Sequence, residues 1–559
     1  MIRTIDGVPF ARNTNSDFRF FIQLSTGTSA QAEQERYIWQ LANILFNDDI
    51  EDDISVGVPP RLHKKFIHRI KKDRLSRLWE NIVRQKHGQD LDHIASPEER
   101  AFALLTFHRV EDACKVLVES GNLHLATLLA QIGRDKTIRR DMQKQVESWR
   151  QHNVFSEMNE PIRALYELLG GNALRSGGRP TGAVEDRSTT FTISERFELD
   201  WFQAFGLRLW YGVTDDEPIE AAVSRFLQDL TAGDEPAYPF QPHMEAASED
   251  LRHNKNAQSR ESPLWVLLKV YAATTDSADL KLEFPAAILP ESISSSPLSS
   301  RLPFQLHQMI TTIVGHHDSF VVDRVRADQL TWNYAWELIG SGLMEPALFV
   351  LLHLSSAVDR ERSIKEVLGL FAIHLPRPLM ADGAPDPRWR YLADDLQLPE
   401  SWIWVAKALY ARYIGDNVHE VGCLVRAKNW NEAHATFCRV VGPRAIIERD
   451  YQSLHQLLTA FGEAPDRKIR GWASGGAVYA DFLQLITAKG GQRDNAILQR
   501  LVGSLAAMGE KTKQMSSEGL DERVAFMEMS RVVASWCVRE DTVSSALFLM
   551  SICLANVDF

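Results

Sequence analysis

The chain has 559 residues, of which 45% are hydrophobic and 24% are charged, and this is the composition of a folded globular protein. It excludes a collagen-like fibre, a wholly disordered chain and a small disulfide-stapled domain. The net charge of −12 argues against a general nucleic-acid-binding protein, because neutralising phosphates takes an excess of Lys and Arg.

Cysteine use and hydropathy predict a soluble intracellular protein. The five cysteines are odd in number and scattered, and they form no Cys-x-x-Cys motif, which favours a reducing compartment such as the cytosol or nucleus. The longest uncharged run, 542–557, includes three serines and an asparagine and is shorter than the roughly 20 apolar residues of a membrane span. We therefore expect no transmembrane segment.

Only the first thirty residues have a strand-like pattern. Apolar residues recur at alternate positions from Phe18 to Ile22, which predicts a strand over Asp17–Leu24. We expect residues 2 to about 24 to be extended.

After residue 29 the pattern becomes helical and stays so. Ala30–Phe46 and Leu62–Val83 each place apolar residues on one face. Ser96, followed by a proline and two glutamates, predicts a helix N-terminus, because its side chain can cap the first turn.

The pattern of helix, short turn and helix recurs three times, at the turn residues Gly121, Gly342 and Lys428. Each turn residue is followed five positions later by an alanine, which allows a neighbouring helix to approach closely. These are predicted antiparallel α-hairpins, the unit of an α-solenoid. Because they recur at no fixed period, we predict an all-α fold of the irregular α-solenoid type.

Three segments carry residue types suited to catalysis or binding, and each lacks the required spacing. Gly503–Gly509 has five residues between its glycines and no lysine directly after them, so it does not fit a phosphate-binding loop. Residues 316–318 (His-His-Asp) and 432–438, with His434 and Cys438, lack a third or fourth metal ligand at a diagnostic spacing. We predict no enzyme, no cofactor and no metal site. A helical metallo-hydrolase using His316, His317 or His434 is an alternative.

Charges are segregated between residues 48 and 86. Asp48–Asp53 contains five acids, and Arg61–Lys86 contains ten Lys or Arg against two acids. The basic stretch also has an apolar stripe, so we expect it to pack on its neighbours and show its basic side outward. A docking face for an acidic partner, or weak membrane or nucleic-acid contact, is the alternative.

Three helical segments are apolar around most of their circumference: Phe197–Tyr211, Trp402–Trp404 and Ser544–Leu554. Such helices are either central in a fold or covered by a partner. We expect at least part of this surface to bind protein.

The order of these segments resembles the ancestral coatomer element nucleoporins. The resemblance rests on Trp-x3-Phe-Gly-Leu-x-Leu-Trp-Tyr within Phe197–Tyr211, on Leu330–Leu354 and on Leu398–Ile403. Asn429–His434, followed by Gly442–Ile447, is similar to the nucleoporin ninety-six family, which derives from the C-terminal half of an autoproteolysed nucleoporin precursor. The resemblance covers roughly residues 30–559.

The resemblance implies a solenoid that folds back on itself as trunk, crown and tail. Members of this family carry, before the trunk, a strand-rich blade that completes a WD-repeat propeller. Because so few residues here look extended, we expect the chain to be truncated and assign no propeller partner to it. The implied segments are an extended N-terminal remnant (1–29), a first trunk segment (30–175), a crown (176–325), a second trunk segment (326–465) and a tail (466–559).

The resemblance also implies a function as a structural arm of the Y-shaped scaffold complex of the nuclear pore, at the nuclear envelope. The crown would meet the crown of a neighbouring stalk nucleoporin, and the tail would join two scaffold nucleoporins at the hub, in support of protein and mRNA transport. A vesicle-coat scaffold of the same fold is an alternative. The candidate contact residues are Trp201, Phe205, Leu209 and Trp210 in the crown, and Trp472, Tyr479, Phe482, Leu483 and Ile486 in the tail.

Overall fold

The structure, a computed structural model, describes residues 1–5, 7–13, 17–47, 59–88, 91, 94–133, 136–179, 187–241, 261–274, 282–283, 299–314, 320–321, 324–380, 382–487, 495–513, 519–539 and 543–555. Helices dominate these residues, which confirms the predicted all-α, solenoid-like fold.

The described helices are α1 (Arg19–Leu24), α2 (Ala30–Phe46), α3 (Pro60–His87), α4 (Pro97–Thr106), α5 (Val110–Glu119), α6 (Leu123–Leu129), α7 (Lys136–Gln151), α8 (Glu160–Leu169), α9 (Ile193–Arg196), α10 (Trp201–Leu207), α11 (Ile219–Ala232), α12 (Pro263–Thr274), α13 (Arg301–Val314), α14 (Arg324–Gly340), α15 (Met344–Leu351), α16 (Ala357–Leu370), α17 (Pro387–Arg390), α18 (Glu400–Ile414), α19 (Asn417–Arg426), α20 (Trp430–Thr436), α21 (Gly442–Glu448), α22 (Tyr451–Ala460), α23 (Pro465–Lys468), α24 (Gly476–Thr487), α25 (Asn495–Lys513), α26 (Leu520–Arg539) and α27 (Val543–Ala555). Three π-helical turns (Arg208–Gly212, Tyr391–Asp395 and Phe437–Val441) and three short 3₁₀ turns (Val154–Glu157, Ala372–His374 and Trp472–Ser474) join them.

The strands form three two-stranded pairs. β1 (Ile2–Ile5) pairs antiparallel with β2 (Val8–Ala11), and β3 (Arg175–Ser176) pairs antiparallel with β4 (Phe191–Thr192). β5 (Leu282–Glu283) pairs in parallel with β6 (Phe320–Val321).

The chain divides into two compact units. Asn13–Glu337 forms one of them, called here the inserted unit, and Met1–Arg12 with Leu338–Phe559 forms the other, called the split unit. The predicted first trunk segment and the whole predicted crown thus share one unit, and the tail shares the other with most of the second trunk segment. The finer division into trunk, crown and tail stays a prediction.

The core of the inserted unit is built around the indole of Trp79 on α3. This indole is fully buried and donates a hydrogen bond of 2.8 Å to the carbonyl oxygen of Phe202. Its ring centroid lies 5.6 Å from that of Trp201 and 5.0 Å from that of Phe205, with both pairs edge-on. Phe205 in turn contacts the ring of Trp265 on α12. Such a cluster buries much apolar area and adds favourable ring geometry.

The predicted strand over Asp17–Leu24 is wrong, because most of this segment forms helix α1. The ring of Phe18 is fully buried and the ring of Phe21 stacks on Trp39 of α2 at 4.3 Å. Positions three apart share one face of a helix, so packing on α2 favours the helical period over the alternating one.

The extended residues lie earlier, in the hairpin of β1 and β2. Ala11 donates a backbone hydrogen bond of 2.9 Å to the carbonyl oxygen of Leu352, at the end of α15. The guanidinium of Arg360, which is itself buried, lies over the Phe10 ring at 4.8 Å and donates to the carbonyl oxygen of Leu354. The hairpin is therefore fixed to the split unit.

All three predicted helix–turn–helix segments are present, as α5–α6, α14–α15 and α19–α20, and the first and third of them pack as α-hairpins. Their turn residues have left-handed backbones, with φ of 83° at Gly121, 76° at Gly342 and 61° at Lys428. Glycine adopts this conformation without steric cost, whereas a residue with a Cβ atom is strained there.

Replacing Lys428 with glycine is therefore expected to raise the free energy of unfolding by about 0.5–1 kcal/mol. Lys428→Ala is the matched control, since it removes the side chain but keeps the Cβ atom and its strain. Urea denaturation of both variants and the parent chain measures the difference. Equal midpoints for the glycine and alanine variants would contradict the strain at this turn.

The burial of His307 on α13 predicts that the free energy of unfolding depends on pH. Its side chain is 6% exposed, and burial lowers the pKa of the imidazole to about 4, against the opposing charge of Asp328. An unfolded histidine titrates near about 6.5. The unfolded state therefore binds this proton more tightly, and stability is lost as the pH falls from about 6.5 to about 4, by up to about 3 kcal/mol.

The measurement compares urea midpoints of the chain and of His307→Leu near neutral pH and near pH 5, where the two histidine states differ. The variant is expected to lose less stability on acidification than the parent chain. Parallel pH profiles would show that His307 does not contribute.

Candidate protein-interaction site

The four predicted crown residues lie in the core of the inserted unit. Trp201 and Phe205 on α10 and Leu209 and Trp210 in the following π-helical turn are all at most 7% exposed. They pack against α3 and α11 within the same unit. The four side chains are therefore internal in this chain, and their assignment to a protein interface stays a prediction.

Local capping explains why α10 begins where it does. The Asp200 carboxylate accepts a hydrogen bond of 2.9 Å from the backbone N–H of Gln203, whose side-chain oxygen accepts from the Asp200 N–H. This is a capping box, which satisfies two free donors of the first turn. Burial raises the pKa of Asp200, but hydrogen bonding from His87 and the charge of Lys86 outweigh it and hold the pKa below its usual value.

Two basic side chains bind the backbone carbonyl oxygens at the C-terminal end of this segment. Arg139 donates to the carbonyl oxygens of Tyr211 and Gly212 at 2.6 and 3.0 Å, and Lys72 donates to that of Thr214 at 2.7 Å. Positive charges stabilise the C-terminal end of a helix, where carbonyl oxygens lack helical partners. Burial lowers the pKa of Lys72 to about 8, so part of the predicted basic face is used inside the fold.

Arg208 is the charged centre of this region. Its guanidinium donates two hydrogen bonds to one carboxylate oxygen of Asp229, at 2.9 and 2.7 Å, and one to Glu235 at 2.7 Å. The side chains of Arg208 and Glu235 are 3% and 0% exposed. A fourth bond, to the carbonyl oxygen of Ala204, ties the guanidinium to α10. Arg208 and Glu235 are thus desolvated, whereas Asp229 is 23% exposed, and both carboxylates depend on the one guanidinium for a positive partner.

The predicted tail residues are also mostly internal. The ring of Trp472 lies 5.3 Å from both His434 and Phe461, and the ring of Tyr479 lies 5.5 Å from Phe437. Phe482 and Leu483 of the same helix are buried, and Ile486 is the one member of the predicted set that is partly exposed. These side chains join the predicted tail to the predicted second trunk segment in a single core.

Glycines allow this core to close around His434. The backbone N–H of Gly476 donates to Nε2 of His434 at 2.9 Å, and the Cys438 sulfur lies 3.2 Å from the same nitrogen. A Cβ atom on Gly475 would lie 2.6 Å from Nε2, and one on Gly476 would lie 2.2 Å from the Trp472 ring. Both distances are shorter than van der Waals contact, so only glycine fits at either position. His434 thus has a structural role, with its Nε2 lone pair already used.

The segments considered for chemistry form no metal site among the described residues. No group of three or more His, Cys, Asp or Glu side chains converges there. Residues 316–318 and the acidic run Asp48–Asp53 lie outside the described residues. Gly503–Gly509 lies inside helix α25, so it is not a loop.

Exposed apolar side chains concentrate on α27, one of the helices that the sequence marks as apolar all round. Leu549 and Ile552 are buried, whereas Leu547, Phe548 and Met550 are 66%, 53% and 49% exposed. The sequence signal identified the helix but could not divide it into a buried and an exposed face, because the mean hydropathy is high on every side. A second exposed set, Leu409, Tyr413 and Ile414, lies at the end of α18.

The basic helix α3 has two different halves. In the second half, Lys71 donates to the carbonyl oxygen of Leu45 at 2.8 Å, and Lys86 pairs with Asp200 at 3.0 Å. In the first three turns, Leu62 and Phe66 are exposed. The predicted packing of one continuous apolar stripe therefore holds only for the second half, where Leu78 and Ile82 are buried.

No helix in the described part of the chain combines the length and apolar character that crossing a membrane requires.

Comparison with known proteins identifies the family to which this chain is similar. Residues 99–410 match the family model described as Nuclear protein 96, which is more than half of the chain. Nucleoporin NUP145 of Chaetomium thermophilum is 32% identical over 85% of this chain and 22% of its own length. Nucleoporin nup189 of Schizosaccharomyces pombe is 29% identical over 93% of this chain and 28% of its own length.

A plant relative is more distant. Nuclear pore complex protein NUP96 of Arabidopsis thaliana is 22% identical over 91% of this chain and 48% of its own length. The chain thus spans about a quarter of the two fungal relatives and about half of the plant one.

Proposed function

The chain belongs to the nuclear protein 96 family, and from this premise we propose that it is a structural scaffold of the nuclear pore that joins other scaffold nucleoporins through its helices. It acts at the nuclear pore complex in the nuclear envelope and is a structural component, not an enzyme. It supports nucleocytoplasmic transport by holding its partners in place.

The finer part of the proposal is a Y-shaped scaffold in which the tail joins two nucleoporins at a hub. The observation that carries it is the exposed apolar face of α27, formed by Leu547, Phe548 and Met550. Contiguous apolar side chains on a surface are typical of protein interfaces, and large helical faces are the usual contact of solenoid scaffolds. Trp472, Tyr479, Phe482 and Leu483 are buried, so in this proposal they hold the tail together and do not contact a partner themselves.

The crown is proposed to meet the crown of a neighbouring stalk nucleoporin. Trp201, Phe205, Leu209 and Trp210 have a supporting role in this contact, since they are buried. The contact itself would use outward-facing residues of the segment 176–325. A rigid core beneath a contact lowers the entropy lost on binding.

The test replaces Leu547 and Phe548 with aspartate in a fluorescent fusion of the chain. Both side chains are more than half exposed, so the helical circular dichroism and the unfolding midpoint are expected to stay unchanged. The fluorescent rim at the nuclear envelope is expected to be lost, because a charge placed in an apolar interface is not compensated.

Val118→Asp is the matched control, since Val118 on α5 is 51% exposed and has no cluster of exposed apolar neighbours on its helix. It is expected to keep the rim. A folded double variant that keeps the rim would refute the α27 contact. A parent chain that collects at exit sites of the endoplasmic reticulum would instead favour the vesicle-coat alternative.

A further inference from the structure

The first three turns of α3, Pro60–Ile70, present apolar side chains to solvent. Leu62 and Phe66 are 43% and 40% exposed, and Ile70 is half-buried. The three residues are spaced four apart, so they follow one stripe of the helix. Eleven helical residues extend over about 16 Å.

The same segment has a strong local positive charge. Its sequence holds four Lys or Arg, two His and no acidic residue, although the whole chain has a net charge of −12. Arg69 is exposed, and no ion pair is formed by it within the described residues. The segment is thus a basic amphipathic patch on an acidic protein.

The second half of the same helix packs within the fold. Three of its basic residues bind groups on other elements: Lys71 binds the carbonyl oxygen of Leu45, Lys72 that of Thr214, and Lys86 the carboxylate of Asp200, whereas Arg77 is exposed. The apolar residues Leu78 and Ile82 are buried there. One helix therefore changes from internal packing to an exposed surface at about residue 70.

We propose that Pro60–Ile70 binds the anionic headgroups of a lipid bilayer surface. Clusters of basic residues on an amphipathic helix attract anionic lipids, and apolar side chains on the same helix enter the boundary between headgroups and acyl chains. A nucleic acid would use the positive charges but not Leu62 and Phe66. Two aromatic or aliphatic side chains insert weakly, so the contact is peripheral, reversible and sensitive to salt.

The experiment is co-flotation of the chain with vesicles of phosphatidylcholine, pure or mixed with phosphatidylserine. The chain is expected to float only with the anionic vesicles and to be released by high salt. Lys64→Glu/Lys65→Glu is expected to lower the partition coefficient more than about tenfold, since each basic residue near an anionic surface contributes roughly fivefold. Leu62→Ser/Phe66→Ser is expected to lower it as well, at unchanged circular dichroism.

Two variants elsewhere are matched controls. Lys144→Glu on α7 reverses a charge that is 72% exposed, and Tyr413→Ser on α18 removes an apolar side chain that is 87% exposed. Neither residue belongs to the patch, so both variants are expected to float like the parent chain.

Three results would overturn the proposal. Equal flotation with neutral and anionic vesicles would remove the role of charge. Unchanged flotation of Leu62→Ser/Phe66→Ser, together with competition by duplex DNA, would assign the patch to nucleic acid. Flotation that appears only after the acids of Asp48–Asp53 are replaced by amides would show that this segment of the chain occupies the patch. None of these results bears on the α27 contact, so the two proposals fail separately.

Discussion

Replacing Arg208 with methionine is expected to lower the free energy of unfolding by about 3–5 kcal/mol. The guanidinium is 3% exposed and binds Asp229 and Glu235, the second of which has no solvent contact. Methionine fills a similar volume but leaves the buried carboxylate of Glu235 and the partly exposed carboxylate of Asp229 without this positive charge. The cost therefore arises mainly from the carboxylates that remain.

The measurement is urea denaturation followed by circular dichroism, with hydrogen exchange to locate the loss to α10 and α11. Arg77→Met is the matched control, because Arg77 is 76% exposed and pairs with Asp73 along its own helix, a contact worth about 0.5 kcal/mol or less. Adding Asp229→Asn and Glu235→Gln to Arg208→Met is expected to recover much of the loss. An unchanged midpoint for Arg208→Met would contradict the role of the cluster.

Replacing Trp472 with alanine is the second change with a large expected effect, again about 3–5 kcal/mol. The indole fills the space between His434 and Phe461, and the surrounding core cannot collapse without moving Gly476, whose backbone binds His434. This variant separates the two interpretations of the predicted tail residues. If Trp472 is internal, its removal destabilises the split unit. If Trp472 is an interface residue, the isolated chain stays stable without it.

Thermal unfolding and hydrogen exchange of α20 and α24 measure this loss. Phe548→Ala is the control, since Phe548 is 53% exposed and its removal is expected to cost about 0.5 kcal/mol or less in the free chain. If the Trp472→Ala chain is as stable as the parent chain, Trp472 is not a core residue and the predicted interface role is favoured.

Helices with clear capping residues and apolar periodicity could be predicted from the sequence. The helical structure of Asp17–Leu24 could not. Ala30–Phe46 is helical over its predicted bounds, and Ser96 caps α4 as its neighbours indicated, because caps and periodicity depend on adjacent residues. A run of eight residues fits two periods equally well, and the choice between them depends on Trp39, which lies on another helix.

The candidate site shows a different limit. The segment around Trp201 was rightly identified as apolar all round, but its place in the fold depends on Trp79, which is 122 positions away in the chain. Likewise, nothing near Trp472 in sequence indicates that His434 lies beside it. Contacts between distant positions decide whether an aromatic side chain is internal or available to a partner, and periodicity contains no information about them.

The hairpin of β1 and β2 has a consequence for biosynthesis. Ala11 binds Leu352, so the ribosome must translate more than 300 further residues before the hairpin meets its docking site. At about 5–20 residues per second this takes roughly 15–70 seconds, during which a short two-stranded element is not stable by itself. The inserted unit can complete its own core in that interval. The order of synthesis thus favours Asn13–Glu337 as the first of the two units to fold, with residues 1–12, although made before it, docking only afterwards.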